Sequence, residues 1–590
     1  MPRSSAILRR SAALRSVWVP LAIVALAAGL RLWALHTAPD DPFYDAAVRS
    51  MGLSWHNFFF GALEPAGGVA VDKVPVDLWL QVAAVKVLGF NSTALHLPAA
   101  LGGTAAVALL YAAVGSVAGR LAASLSALAL AVLPLSVVTS RSDTMDSVMM
   151  AVLVGALWAS TRALQTRRGA WVLLAAGLVG LAFNVKLAEA LIPLPALALM
   201  WWGAPRPGRR VAVLAGAAAV LVAVGMSWIV TASFTPKADR PYPIGSRDGS
   251  IYNVVFVYNG LDRLRGTTAQ PLNTASSGRP DALRLLRPSP APYGPQLGLE
   301  LVAGMLLLLA AVLAGALRFA GGGGAWRAQP RVARWFAVSI GVWLGTTVVL
   351  FSVIHGLQAR YVETMSPAVA ALVGVGAAAL VERALQRRVA LALAGALALG
   401  AAFAVWIEHV DAGRTVAFMV AGLAALIALT LTPLGRRAAP WARGSLVAAA
   451  ASVVLFAAPV AVSLGLIERN IGDAALTGSG AQYSDYLRAH RAGARYEVAS
   501  SDVLHVAALI VRDAQPVLIL NDIHGILVGT ARLQQLVRNR QVRFIIITNP
   551  CTSAAYCPGT IEWSLRSTVE VRPGLYEYVP PAAPGRAIAQ

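Results

Sequence analysis

The chain has 590 residues, is 57% hydrophobic and carries 13% charged residues, where a soluble domain carries about 25%. Its formal net charge is +21, but the arginines fall in short clusters between apolar runs rather than on one basic face. That distribution argues against nucleic-acid binding and for the topology of a multi-pass membrane protein.

In chain order, the first apolar run is residues 17–35, preceded by Arg3, Arg9, Arg10 and Arg15. It exceeds the 7–15-residue core of a signal peptide and many apolar segments follow, so it reads as a retained first span. A bilayer core takes about 20 helical residues, and about thirteen segments qualify. They are 17–35, 97–117, 121–139, 146–162, 170–186, 187–202, 211–232, 298–317, 334–353, 366–381, 388–406, 415–432 and 444–466. Arginine clusters precede the first span and recur at Arg167 and Arg168, Arg209 and Arg210, Arg327 to Arg334, Arg383 to Arg388, and Arg436 to Arg443. With alternating spans all of these fall on one side. Lys/Arg excess marks that side as cytoplasmic, leaving the N-terminus inside and the C-terminus outside.

Three segments are expected on the outer side. Residues 36–96 form a first loop with interfacial helical pieces such as "SWHNFFFGAL". Residues 233–297 form a second polar loop. Residues 467–590 change texture: "RYEVAS", "PVLIL" and "RFIIIT" are β-rich, and "TARLQQLVRN" is helical. That alternation predicts a small α/β domain with a mainly parallel sheet. Cys551 and Cys557 lie in it, and spacing leaves open whether they pair or stay free. The "GGGG" at 321–324 lacks the Lys-Ser/Thr of a phosphate loop and reads as a linker.

Carboxylates and cations gather at the predicted outer edge: Asp40, Asp41 and Asp45; Asp72 and Lys73; Arg141, Asp143 and Asp146; Lys186; Arg240; and His355, Arg360 and Tyr361. Each alone fits a helix cap or a headgroup contact. Asp45 fits a first-turn acid, either Asp143 or Asp146 an N-cap, and His355 an interfacial histidine. A headgroup layer, however, does not call for a mixture of acids and bases. Sugar transfer from a polyprenyl phosphate does: cations hold the phosphate as leaving group, and a carboxylate takes the proton of the attacking hydroxyl. Clustered Asp could also hold a divalent cation. With Lys and Arg already present to meet the phosphate, a metal is not favoured and no cofactor is expected.

The order of motifs adds to this chemistry. "DDPFY" resembles the Asp-Glu-x-x-Tyr first-loop motif of the protein O-mannosyltransferase and aminoarabinose-transferase family of GT-C glycosyltransferases. The resemblance continues through "AAVRSM", "SWHNFFF", "VDKVPVDLWLQ", "RSDTMDS", "GLAFNVKL", "SWIVTASFTPKADRPYPIGS", "VYNGLDRL" and "ARYVETMSPAVAALVG". In that order these look most like the bacterial YkcA/YkcB type. The resemblance implies a mainly α GT-C bundle of about thirteen spans (17–466) with a small extracytoplasmic α/β domain (467–590). It implies Asp40 and Asp41 as the catalytic pair, without choosing the base, and Tyr44 as the motif tyrosine. Lys73, Lys186, Arg240 and Arg360, with Tyr361 beside them, would meet the donor phosphate. Asp146 and His355 would be further site positions. The sequence departs from the family in having Asp at the second motif position, Lys-Val-Pro in place of Lys-Pro-Pro, and "HGLQARY" in place of His-Pro-Tyr-Tyr. The expected partners are a polyprenyl-phosphate-linked sugar, a protein, lipid or glycan acceptor, and membrane lipid, with no nucleic acid. The competing readings are a lipid-sugar transporter, which should show repeated halves, and an envelope receptor.

Overall fold

The computed structural model describes residues 3–265, 279–316, 329–355, 357–407, 412–432, 440–472, 480–501, 503–547 and 559–579. Cys551, Cys557 and the 321–324 glycines lie outside them. Among the described residues, 11 helices are long and apolar enough to cross a membrane. Two of the expected spans are shorter. Residues 121–139 split into Arg120–Val132 and Pro134–Thr139, and 187–202 becomes a 3-10 turn, Leu187–Leu191, followed by the helix Leu194–Gly203. Proline explains both interruptions: Pro134 and Pro193 lack the N–H that would continue each helix.

The break at Leu133 leaves the last carbonyls of Arg120–Val132 without helical donors. Arg31, fully buried, supplies them. Its guanidinium donates to the Leu130 carbonyl (3.1 Å), the Ala131 carbonyl (3.0 Å) and the Ser136 and Ser140 hydroxyls (3.0 and 3.1 Å). Arg31→Leu should therefore strand several buried acceptors and lower stability by about 3 kcal/mol, read as a fall in thermal midpoint in detergent. Arg141 does the same for the end of the first helix. It donates to the Trp33 carbonyl at 2.5 Å and to those of Arg31 and Ala34 at 3.2 Å.

The loops at this end of the bundle are ordered by short elements. Asp41 N-caps the helix Pro42–Met51, accepting from the Phe43 amide at 3.0 Å, with Pro42 at the first helical position. Ser54 caps Trp55–Phe60, the aromatic piece of "SWHNFFFGAL". Val69–Ala70 pairs in parallel with Tyr242–Pro243, so the first loop is bound to the second just before Lys73. A π-helical stretch, Asn253–Asp262, follows.

The C-terminal unit has a five-stranded sheet in the order Val517–Ile519, Val498–Ser500, Phe544–Ile546, Leu575–Tyr578, Thr568–Arg572. The first three strands are parallel and are those expected from the sequence. The last two form an antiparallel hairpin on the edge, turning at Pro573-Gly574 where Gly574 has φ +79°. The sheet is thus mixed rather than mainly parallel, because the hairpin closes it locally without a crossover helix.

Candidate active site

Two groups of charged side chains meet below the loops. The first is cationic. Lys73 Nζ donates to Asp72 Oδ2 at 2.6 Å and to Asn259 Oδ1 at 2.7 Å. Asn259 is held in turn by the Asp72 carbonyl (2.6 Å). Arg263, one helical turn beyond Asn259, donates to Asn259 Oδ1 (3.2 Å) and to the Tyr361 hydroxyl (2.8 Å), and lies 3.6 Å from Asp72 Oδ2. Lys186 is paired with Asp146, and with Glu189 at 2.9 Å, while its ammonium sits 4.6 Å above the Tyr361 ring. The Arg360 guanidinium lies 5.9 Å from that ring centroid and acts electrostatically on Asp72, Lys73, Lys186 and Glu189. Tyr361 is thus a shared platform under Lys186, Arg263 and Arg360.

Lys73, Lys186, Arg263 and Arg360 gather here beside Asp72, Asp146 and Glu189. Burial works against the Lys73 ammonium and Asp72 works for it, leaving Lys73 lowered to about 8. Asp72 is likewise opposed by burial, but Lys73 and Arg263 hold it below the usual carboxylate range. Four cationic side chains around one aromatic ring suit a phosphate, which several of them could meet at once. Lys73 is charged below its pKa and neutral above it. Binding of a polyprenyl phosphate should therefore weaken as pH rises through about 8, and this dependence should vanish in Lys73→Met. An isothermal binding series spanning that pH, with wild type and variant side by side, checks it.

The second group is acidic. The Asp41 amide donates to Asp143 Oδ2 at 2.6 Å. Asp40 accepts from the Ser92 hydroxyl (3.0 Å) and lies 3.7 Å from His96 Nε2. Burial, reinforced by neighbouring carboxylates, pushes both Asp45 and Asp143 well above the usual carboxylate range. The neighbouring carboxylates thus oppose one another's ionisation. Tyr44 connects the groups: buried, it acts electrostatically on Asp72, Arg360, Asp41 and Tyr361. Burial first, then Asp72, raises its phenol well above the ordinary value, so it stays a neutral donor.

Of the expected site residues, Lys73, Lys186, Arg360, Tyr361, Asp146, Tyr44, Asp41 and Asp40 fall in these two adjoining groups. Arg240 shares a hollow with Lys73, lined also by Phe60, Trp228 and Ile251. Its Nε and Nη2 donate to the Thr235 and Gly249 carbonyls (3.3 and 2.9 Å), so it braces its own loop. His355 is exposed, and no hydrogen bond or ion pair ties it to the other described residues.

Met145, not an acid, occupies the N-cap position of the helix Asp146–Thr166 and gives no side-chain cap. The N-cap alternative for Asp143 and Asp146 is therefore not realised: Asp143 turns to the Asp41 amide and Asp146 to Lys186. Asp45 does lie in the first turn of its helix, as the sequence suggested, but it is buried against the other acids.

Asn259, Arg263 and Glu189 carry much of the network and were not singled out by sequence reading. The signal for the first two was present in "VYNGLDRL", where Asn259 and Arg263 stand four apart and so share a helical face. Asp40, His96 and Asp143 bring ligand atoms within 4.8 Å of one another. Both His96 ring nitrogens already approach carbonyls, Ser92 at 2.6 Å and Pro39 at 3.2 Å, so the imidazole is poorly placed to give a lone pair to a metal.

The fold is that of a multi-pass membrane protein with the GT-C architecture. The crystal structure of ArnT from Cupriavidus metallidurans bound to undecaprenyl phosphate superposes with a TM-score of 0.54 at 18% identity, over 95% of this chain and 98% of that one. Its apo form gives 0.56 over 96% and 98%. These likenesses concern the fold. Residues 72–229 match the family described as dolichyl-phosphate-mannose-protein mannosyltransferase. Two Bacillus subtilis (strain 168) proteins are similar in sequence. "Putative mannosyltransferase YycA" is 35% identical over 42% of this chain, and "Putative mannosyltransferase YkcB" is 34% identical over 38%. The matches span 37% and 32% of those relatives' own lengths. The likenesses in sequence are thus to mannosyltransferases and the likeness in fold is to a GT-C structure, the same resemblance that the loop motifs suggested.

Proposed function

We propose that the chain is a membrane glycosyltransferase that moves a sugar from a polyprenyl-phosphate donor to an acceptor hydroxyl at the extracytoplasmic face. The observation that carries this reading is the gathering of Lys73, Lys186, Arg263 and Arg360 around Tyr361, beside Tyr44 on the helix whose N-terminus Asp41 caps. The ArnT structure that shares the fold holds undecaprenyl phosphate, which fits a lipid phosphate for this cluster. Lys73, Arg263, Lys186 and Arg360 receive the phosphate, while the prenyl chain stays among the spans.

In the transfer, the acceptor oxygen bonds to the anomeric carbon as the carbon–oxygen bond to phosphate breaks. The hydroxyl proton passes to a first-loop carboxylate, and the charge left on the phosphate is met by the cations. Asp41 is the preferred base, since its charge and that of Arg360 both act on Tyr44, whereas Asp40 faces Ser92 and His96. The helix N-terminus at Asp41 favours its negative charge. Asp40, Asp45 and Asp143 support it from behind. On this reading the arginine-rich loops face the cytoplasm with the N-terminus, and the 467–590 domain lies outside.

Purified protein given polyprenyl-phosphate sugar and a cell-envelope extract should release polyprenyl phosphate. Movement of intact lipid-sugar between leaflets without cleavage would instead indicate a transporter, and acceptor binding without either would indicate a receptor. Because the cations already meet the phosphate and His96 is engaged, a chelator should leave the release rate unchanged. A rate restored only by added divalent ion would contradict that step.

A further inference from the structure

The C-terminal unit does not stand apart from the site. Its helix Val503–Asp513 packs on Pro42–Met51, the helix that Asp41 caps. The backbone at Val517 acts on the carboxylate of Glu64 in the first loop and works against the effect of its burial. Its small hairpin, in which Asn521–Asp522 pairs with Gly525–Ile526, lies against the second loop. There Asp522 Oδ2 accepts from the Gly245 amide at 2.9 Å, and the His524 ring meets the Tyr258 ring edge-on at 5.9 Å. His524 Nε2 is buried with no hydrogen-bond partner among the described residues.

Both contacts converge on Tyr258. Gly245 has φ +87°, and a Cβ there would come 2.5 Å from the Tyr258 ring, so the backbone at 245 rests directly on that side chain. Tyr258 precedes Asn259, which bonds Lys73, and the Arg263 guanidinium lies 5.3 Å over the Tyr258 ring. A continuous chain of contacts thus runs from Asp522 through Gly245 and Tyr258 to the cationic cluster.

We propose that the C-terminal unit is a positioning clamp for this site, its Asn521–Ile526 hairpin fixing Tyr258 and, through it, Asn259 and Arg263. The assignment of that cluster to the donor phosphate rests on the function proposed above; the mechanical coupling does not. Asp522 and His524 act through Tyr258 and are positioning residues, not catalytic ones.

The test uses the full chain in detergent, comparing wild type, Asp522→Ala, Asp522→Asn and His524→Ala by hydrogen exchange over Asn253–Asp262 and by steady-state transfer. Asp522→Ala should speed exchange in that segment and raise the donor KM about fivefold, with kcat changed less than about twofold. His524→Ala should act in the same direction. Asp522→Asn should stay near wild type, because an amide oxygen can still accept from Gly245. Wild-type exchange and KM in Asp522→Ala would overturn the clamp. So would equal impairment of Asp522→Asn, which would mean that the Gly245 bond is not what matters. If the wild type transfers no sugar, the function proposed above fails, and the exchange measurement alone still decides for or against the clamp.

Discussion

Asp41→Asn is expected to lower release of polyprenyl phosphate by about a thousandfold while leaving the protein folded. The reasoning separates two roles of one side chain. Asp41 caps the helix Pro42–Met51 through one oxygen, and asparagine is as good a cap, so helix and loop survive the change. What asparagine cannot do is take a proton from the acceptor. Asp41→Ala should lose both functions and add about 1 kcal/mol of destabilisation. Asp40→Asn keeps an acceptor for the Ser92 hydroxyl and is expected to cost about tenfold, through the field it removes beside Asp41. Single-turnover release measured with the three variants checks the order. Asp41→Asn turning over like wild type would show that the base is elsewhere.

The second large effect is expected at a residue the sequence did not single out. Arg263→Met should weaken donor binding about a hundredfold, since a charge-assisted bond to phosphate is lost while Asp72 and the Tyr361 hydroxyl lose a partner. Arg263→Lys retains the charge but loses the planar fork that reaches Asn259 and Tyr361 together, so it should fall between. Lys73→Met should resemble Arg263→Met in affinity, and in addition remove the pH dependence near 8. Donor affinity measured directly, with thermal midpoints alongside, separates loss of binding from loss of fold. An Arg263→Met protein that is stable and binds donor normally would remove Arg263 from the site.

The spans were legible because the bilayer imposes a length and a composition that few other structures meet. The two that came out short were marked in the sequence by Pro134 and Pro193, whose effect depends on what satisfies the freed carbonyls. Arg31, distant along the chain, does so at the first break, and no local pattern points to it. Site residues were legible where a charge stood at a span edge, as with Lys73, Lys186 and Arg360. Arg240 looked equivalent, yet its loop folds back so that its donors meet its own carbonyls. Arg263 escaped notice because it follows a π-helical stretch in a loop, and its value lies in long-range partners, Asp72 and Tyr361, that sequence spacing does not pair. In the C-terminal unit the three parallel strands were clear as apolar runs. The edge hairpin was not, since its strand Thr568–Arg572 is largely solvent-facing and reads as polar.

The most direct test of the account is a structure of the protein with a polyprenyl phosphate bound. The phosphate is predicted to lie among Lys73, Arg263, Lys186 and Arg360, over the Tyr361 ring, with Asp41 facing the side from which an acceptor would approach. A phosphate seated away from Lys73 and Arg263, or separated from Asp41 by intact packing around Tyr44, would contradict it.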